Sequence, residues 1–197
     1  MSNEIDGLLE RLRQIEAELE QQFDARREAF RYQIKKKRAV FEASVTARHR
    51  EIKIGVLRFL RSSPIQSILT APFIYALVIP LALLDLSICL FQLVCFPTWG
   101  IARVRRSDYL VIDRQYLAYL NAIQKLNCVY CGYANGLIAF TQEVASRTEQ
   151  FWCPIKHATR IKSAHGRYKH FLDYGDAEGF RDRQDEFRRD LEKPEGP

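Results

Sequence analysis

From Ile65 to Ala102 the chain runs for 38 residues without Lys, Arg, Glu or His, and its only formal charge there is Asp85. A window of about 19 residues laid over this stretch reads as membrane-embedded. At ~1.5 Å per residue the whole stretch as a helix would reach about 57 Å, nearly twice the ~30 Å hydrocarbon core of a bilayer. Two arrangements fit. A single span of about Phe73 to Phe96 can cross with interfacial ends, or two arms, Ile65 to Leu84 and Leu86 to Ala102, can form a membrane-embedded helical hairpin.

Flanking charge favours the hairpin. Arg48, Arg50, Lys53, Arg58 and Arg61 precede the stretch, and Arg103, Arg105, Arg106 and Arg114 follow it. Positive charge marks the cytoplasmic side of a span, and nearly equal basic flanks place both ends there. Asp85 points the same way. At the centre of a single span it would cost about 2.5 to 3.5 kcal/mol on insertion scales, a cost that a hairpin tip reduces. The tip Pro80-Leu-Ala-Leu-Leu-Asp85 contains no Gly or Asn, which counts against a turn, although Pro80 is able to bend the chain.

Asp85 has two readings. It is either an ion- or proton-handling carboxylate with Gln92 as hydrogen-bond partner, or an oligomer contact or hairpin tip. The second is preferred, because nothing else polar lines a path. Trp99 and Tyr75 read as interfacial anchors.

Outside the stretch, charge is graded along the chain. From Glu4 to Asp24 there are seven acids and two bases; from Arg26 to Arg61 there are twelve bases and three acids. Base close to the bilayer suits anionic lipids of a cytoplasmic leaflet. The acidic N-terminus lacks an apolar h-region, so no cleavable secretory signal is expected and the apolar stretch itself must drive insertion. These features are compatible with a bacterial inner membrane and soluble parts in the cytoplasm.

Four regions are expected: 1–62, a long charged helix; 63–102, the membrane segment; 103–175, a helical metal-binding domain; 176–197, a last helix and a disordered tail over 193–197. From Ile5 to about Leu60 there is no Pro, and Leu8, Leu12, Ile15, Leu19, Phe23, Phe30, Ile34, Phe41, Val45 and Ile52 recur at spacings approaching an 11-residue repeat. A narrow apolar stripe on a charged helix needs a partner, most simply a second copy, as in a coiled coil. The Lys35-Lys36-Lys37-Arg38 run reads as a solvated or lipid-facing surface rather than a nucleic-acid patch. The basic stretch Lys156 to His170, with Tyr168 and Phe171 as stacking candidates, comes without an RNA-binding signature, so nucleic acid is not expected as a partner.

The most chemically pointed feature is the set Cys128, Cys131, Cys153 and His157. The spacing is C-x2-C, 21 residues, then C-x3-H. With helices Asp108 to Asn127 and Leu137 to Phe151, a turn at Gly132, and Cys153 as N-cap before Pro154, three thiolates and an imidazole would close a tetrahedral, structural zinc site. A thiol-redox pair, an iron–sulfur or haem site and unligated core cysteines are the alternatives; His165 and His170 are substitute ligands. Asp176 is expected to cap the last helix, which runs to about Leu191.

The expected fold is mostly α: a long N-terminal coiled-coil helix, a membrane hairpin or single span, and a small C-terminal helical zinc domain. The expected function is a non-enzymatic, oligomeric membrane scaffold or adaptor at the cytoplasmic face, since no nucleophile–base pair, phosphate loop or open metal site is evident in the sequence. The alternatives are a membrane-bound redox or metal-dependent enzyme using the cysteines, and a transport accessory in which Asp85 handles ions.

Overall fold

The computed structural model describes residues 2–29, 32–35 and 38–192. The chain is mostly helical and divides into two compact units, Met1–Arg61 with Asp113–Lys125, and Ser62–Ile112 with Leu126–Pro197.

In the first unit, α1 (Ser2–Ala29) is followed by two short strands, β1 (Tyr32–Lys35) and β2 (Arg38–Phe41), and by α2 (Ala43–Glu51). The strands pair antiparallel, with Tyr32 opposite Phe41 and Lys35 opposite Arg38. The single helix expected from Ile5 to Leu60 is therefore broken after Ala29. Two local preferences explain the break. Tyr32-Gln33-Ile34-Lys35 alternates apolar and polar at period two, and in a helix Arg31, Lys35 and Arg38 would stack like charges at three- and four-residue spacing. The 11-residue repeat consequently does not continue as one helical stripe beyond Phe23. Behind the hairpin the His49 ring is packed edge-on against Phe41 at 5.2 Å and Tyr119 at 5.1 Å. The middle of the basic run, 36–37, and the tail 193–197 lie outside the described residues.

Helix α3 (Val56–Ser62) carries the chain out of the first unit. The second unit is built on the apolar stretch, where α4 (Ile65–Ala76) and α5 (Val78–Trp99) together form one helix of 35 residues, Ile65–Trp99, long and apolar enough to cross a membrane. The expected hairpin is not formed. Asp85 lies inside α5, and the chain bends instead at Leu77, whose ψ flattens to −14°. Pro80 explains the bend. It has no N–H to give the carbonyl of Ala76, so one helical hydrogen bond is missing while Leu81 N–H still reaches the carbonyl of Leu77 at 3.2 Å.

Gly100 ends α5 in the left-handed region at φ 70°. The Ile101 N–H returns to the carbonyl of Phe96 at 2.8 Å and the Gly100 N–H to that of Pro97 at 3.3 Å, the two bonds of a Schellman stop. This reversal sends the chain back along the helix it has just left. The return segment is extended, with Ile101 and Val104 buried, and closes with the single-turn helix α6 (Arg106–Tyr109).

Helix α7 (Ala122–Trp152) is one continuous element of 31 residues. Asn121 and Gln124 exchange side-chain-to-backbone hydrogen bonds at 3.0 Å each, a capping box that fixes the start of α7. That cap is why the expected helix from Asp108 to Asn127 does not form: the residues just before the cap must leave the helical conformation. Gly132 and Gly136 are buried within α7 rather than breaking it. A Cβ on Gly136 would stand 2.7 Å from the carbonyl oxygen of Tyr109 and 2.9 Å from Cα of Leu110, so the glycine serves close packing against the return segment and not a turn.

The core of this unit is Phe96, Ile101, Val104, Leu137, Phe140, Val144 and Leu191, drawn from α5, the return segment, α7 and the chain end. A second cluster, Phe171, Leu172 and Phe187, seats α8 (Ala177–Asp190). Asp176 caps α8 by accepting from Gly179 N–H at 2.8 Å, as its position in the sequence predicts.

Candidate functional site

One face of α5 carries Asp85, Cys89, Gln92 and Phe96 at spacings of four, three and four, so they form a single stripe. The return segment runs antiparallel beside that stripe, and Asp85 and Gln92 meet partners there or on α7. Gln92 is buried and its Oε1 accepts the Val104 N–H at 3.1 Å. Two turns away, the Asp85 carboxylate accepts from Arg106 twice, Nε to Oδ1 at 3.0 Å and Nη2 to Oδ2 at 2.6 Å. The Tyr133 hydroxyl of α7 donates to Oδ2 at 3.1 Å, and the Cys89 thiol to Oδ1 at 3.6 Å. Four donors on two oxygens saturate the carboxylate, and the bidentate guanidinium fork is among the stronger pairings available to it.

The sequence-level pairing of Asp85 with Gln92 is thus replaced. Both side chains project from the same face, but each is engaged by a different group of the return segment. Arg106 and Tyr133 are partners that residue spacing does not reveal; a lone carboxylate in an apolar run demands a donor, and the nearest basic cluster, Arg103 to Arg106, supplies it. The electrostatics follow from contact. Hydrogen bonding to Asp85 holds the Arg106 guanidinium above its ordinary range, and burial, aided by the bond to Asp85, pushes the Tyr133 hydroxyl up. Chemically the cluster is a charge-balanced clamp joining the apolar helix to the return segment and α7.

The rest of the α5–α7 seam is apolar and aromatic. Trp99 stacks on Phe151 with ring centroids 5.6 Å apart and meets Trp152 edge-on at 5.5 Å. At the other end Tyr75 donates to the side-chain carbonyl of Asn127 and its ring stands edge-on to Tyr130 at 5.9 Å. Both residues expected as interfacial anchors therefore pack against α7.

A second polar cluster locks the C-terminal elements. Glu143 accepts from Arg147 Nε at 2.8 Å and from Arg167 at 2.9 and 3.1 Å, while Arg147 Nη1 donates to the Ala102 carbonyl at 2.7 Å. Burial alone would raise the Glu143 pKa, but the two guanidiniums outweigh it and hold the carboxyl below its usual value. Gln150 Nε2 donates to the Phe187 carbonyl at 3.0 Å and ties α8 to the same helix.

The expected zinc ligands are not brought together. Cys128 and Cys131 lie near the start of α7, and Cys153 just beyond its end. Because α7 does not turn at Gly132, about 30 Å of helix separates Cys131 from Cys153, many times the ~2.3 Å reach of a zinc–sulfur bond. Cys153 follows a helix C-terminus instead of capping an N-terminus; Pro154 is buried and Ile155 bridges Leu172. His157 stacks on Tyr168 at 6.1 Å, with its backbone N–H donating to the Tyr168 hydroxyl at 2.7 Å. His165, a candidate substitute ligand, instead holds Glu149 at 2.8 Å. Among the described residues no group of three or more His, Cys, Asp or Glu is placed to hold a metal ion.

Comparison of the chain with protein-family models, with curated proteins and with solved structures gives no match.

Proposed function

We propose that this protein is a non-enzymatic membrane-anchored scaffold or adaptor, with its basic flanks and helical units at the cytoplasmic face. The observation that carries the reading is the two-sidedness of α5. One face is clamped against the return segment and α7 through Asp85, Gln92 and Phe96, while Leu83, Leu86, Leu90 and Leu93 on the other are exposed. Singly exposed leucines need no explanation, but a contiguous row along one face of a helix whose only charge, Asp85, lies on the opposite face marks an interaction with lipid or protein. The anchor is thereby an integral part of the domain it anchors, so the domain is held in a fixed orientation at the bilayer.

Self-association through α1 completes the scaffold. Leu12, Ile15, Leu19 and Phe23 recur at spacings of three, four and four, and all are exposed, from 43% to 61%. Such a stripe on a charged helix is buried most simply against a copy of itself.

Membrane fractionation with chemical crosslinking tests both halves. The wild-type chain is expected in the membrane fraction after a high-salt wash, crosslinking as an oligomer. Leu12→Glu with Leu19→Glu should stay in the membrane and weaken association about tenfold or more, since burying each leucine contributes roughly 1.5–3 kcal/mol. A wild-type chain that remains in the soluble fraction overturns the anchor, and unchanged crosslinking in the double variant overturns the α1 interface.

A further inference from the structure

We infer that the apolar helix Ile65–Trp99 does not cross the bilayer but embeds in one leaflet, its exposed leucine face resting on the acyl chains of an anionic lipid surface. This deepens the anchor reading and rests on it.

The inference comes from what stands beside the helix along its length. Contacts with α7 and the return segment begin at Tyr75, against Tyr130 and Asn127, continue at Asp85 and Gln92, and end at Trp99 against Phe151. Tyr75 to Trp99 is about 36 Å of helix, more than the ~30 Å hydrocarbon core. Only Ile65 to Ile74, about 15 Å or one leaflet's depth, precedes these contacts.

A bilayer crossing needs about 20 residues of this helix at hydrocarbon depth. Windows that include Asp85 to Gln92 take the return segment with them. That segment carries Arg103, Arg105 and Arg106, all exposed, on the stretch whose Val104 and Arg106 bond Gln92 and Asp85. Guanidiniums at that depth are expensive. Windows earlier in the helix take in Tyr75 and, with it, Asn127 of α7. Helix α7 starts only five residues before Asn127, at Ala122, behind the Asn121–Gln124 cap, so polar side chains and the first turn of backbone N–H groups are carried to the same depth, where hydrocarbon offers them no partner. Every crossing window therefore draws polar protein into the core.

Lying along one leaflet removes the conflict. Ile79, Leu83, Leu86, Leu90 and Leu93 follow four-, three-, four- and three-residue steps and form one exposed face. An in-plane helix buries such a face about 5–10 Å into the boundary between headgroups and chains, and basic side chains beside it meet anionic headgroups. Arg103 and Arg105, and Arg58 and Arg61 just before the helix, supply those charges. Both basic flanks then stay on one side of the membrane, without a hairpin.

Sidedness of labelling tests this on the full chain. Right-side-out and inverted membrane vesicles carrying Gly55→Cys are treated with a membrane-impermeant maleimide, and the modified cysteines are identified by peptide mass spectrometry. Gly55 has open space where a side chain would stand, and Cys153 is exposed. Position 55 and Cys153 are expected to be labelled in the same vesicle orientation and protected in the other. Labelling in opposite orientations would show a crossing and overturn the inference while leaving the anchor reading intact. A chain absent from the vesicles altogether overturns both.

Discussion

Asp85 concentrates the energetics of this fold in one side chain. Its side chain is 14% exposed, whereas that of Arg106 is 45% exposed. Loss of Arg106 leaves the less accessible partner short of its two best donors, and the half-solvated position of Arg106 keeps the penalty below that of a fully buried pair. Arg106→Ala is therefore expected to destabilise the C-terminal unit by about 1–3 kcal/mol. Asp85→Asn in the same background should add little, since the pair acts as a unit. A double-mutant cycle by denaturant unfolding in detergent checks this; additive losses would mean that the clamp does not couple the two residues. At this scale the sequence was half legible. An isolated carboxylate in an uncharged run announced that it needed a partner, but Arg106, 21 residues away, becomes that partner only because Gly100 turns the chain back. The reversal rests on one positive φ, and a glycine gives no advance notice of the direction in which the chain will leave it.

Helices and their ends account for most of the difference between expectation and structure. The apolar stretch, the Asp176 cap and the overall α character were readable because each rests on local composition or spacing. The hairpin, the turn at Gly132 and the long N-terminal helix were not, because each depended on whether a breaker residue is overruled by its surroundings. Pro80 bends the helix without ending it, Gly136 is spent on close packing against Tyr109 and Leu110, and the alternation at Tyr32 to Lys35 wins over the helical periodicity around it. The zinc set depended on that same turn, since bringing Cys131 near Cys153 requires α7 to double back, and α7 is continuous from Ala122 to Trp152. Where α7, the return segment and Arg167 meet, Glu143 gives this scale its own prediction. Its carboxyl is held below the ordinary value of 4.5, so it stabilises the folded state above that pH, and the contribution disappears as pH falls through the lowered value. Thermal melts are expected to fall as pH drops below about 4.5, with a shallower fall in Glu143→Gln, which starts less stable at neutral pH. Parallel curves for the two proteins would remove Glu143 from the acid response.

For the molecule as a whole, the division of labour follows from burial. The return segment and α7 cover one face of a helix whose one formal charge is Asp85 and leave the other uncovered, and the exposed face falls on the part of the chain with the fewest charges and with basic residues on either side. The sequence located this region from charge alone, but composition cannot tell a helix wrapped by lipid from one that is half wrapped by its own domain. Packing supplied that distinction. The most direct test is co-flotation of the full chain with vesicles containing phosphatidylglycerol, comparing wild type with a variant carrying Leu69→Lys, Leu86→Lys and Leu90→Lys. All three leucines are exposed, at 68%, 58% and 52%, so the fold should survive, and circular dichroism verifies that it does. The wild-type chain is expected to float with the vesicles and the folded variant to remain in the dense fraction. A wild-type chain that stays behind, or a folded variant that floats equally well, would contradict an anchor built on the exposed face of this helix.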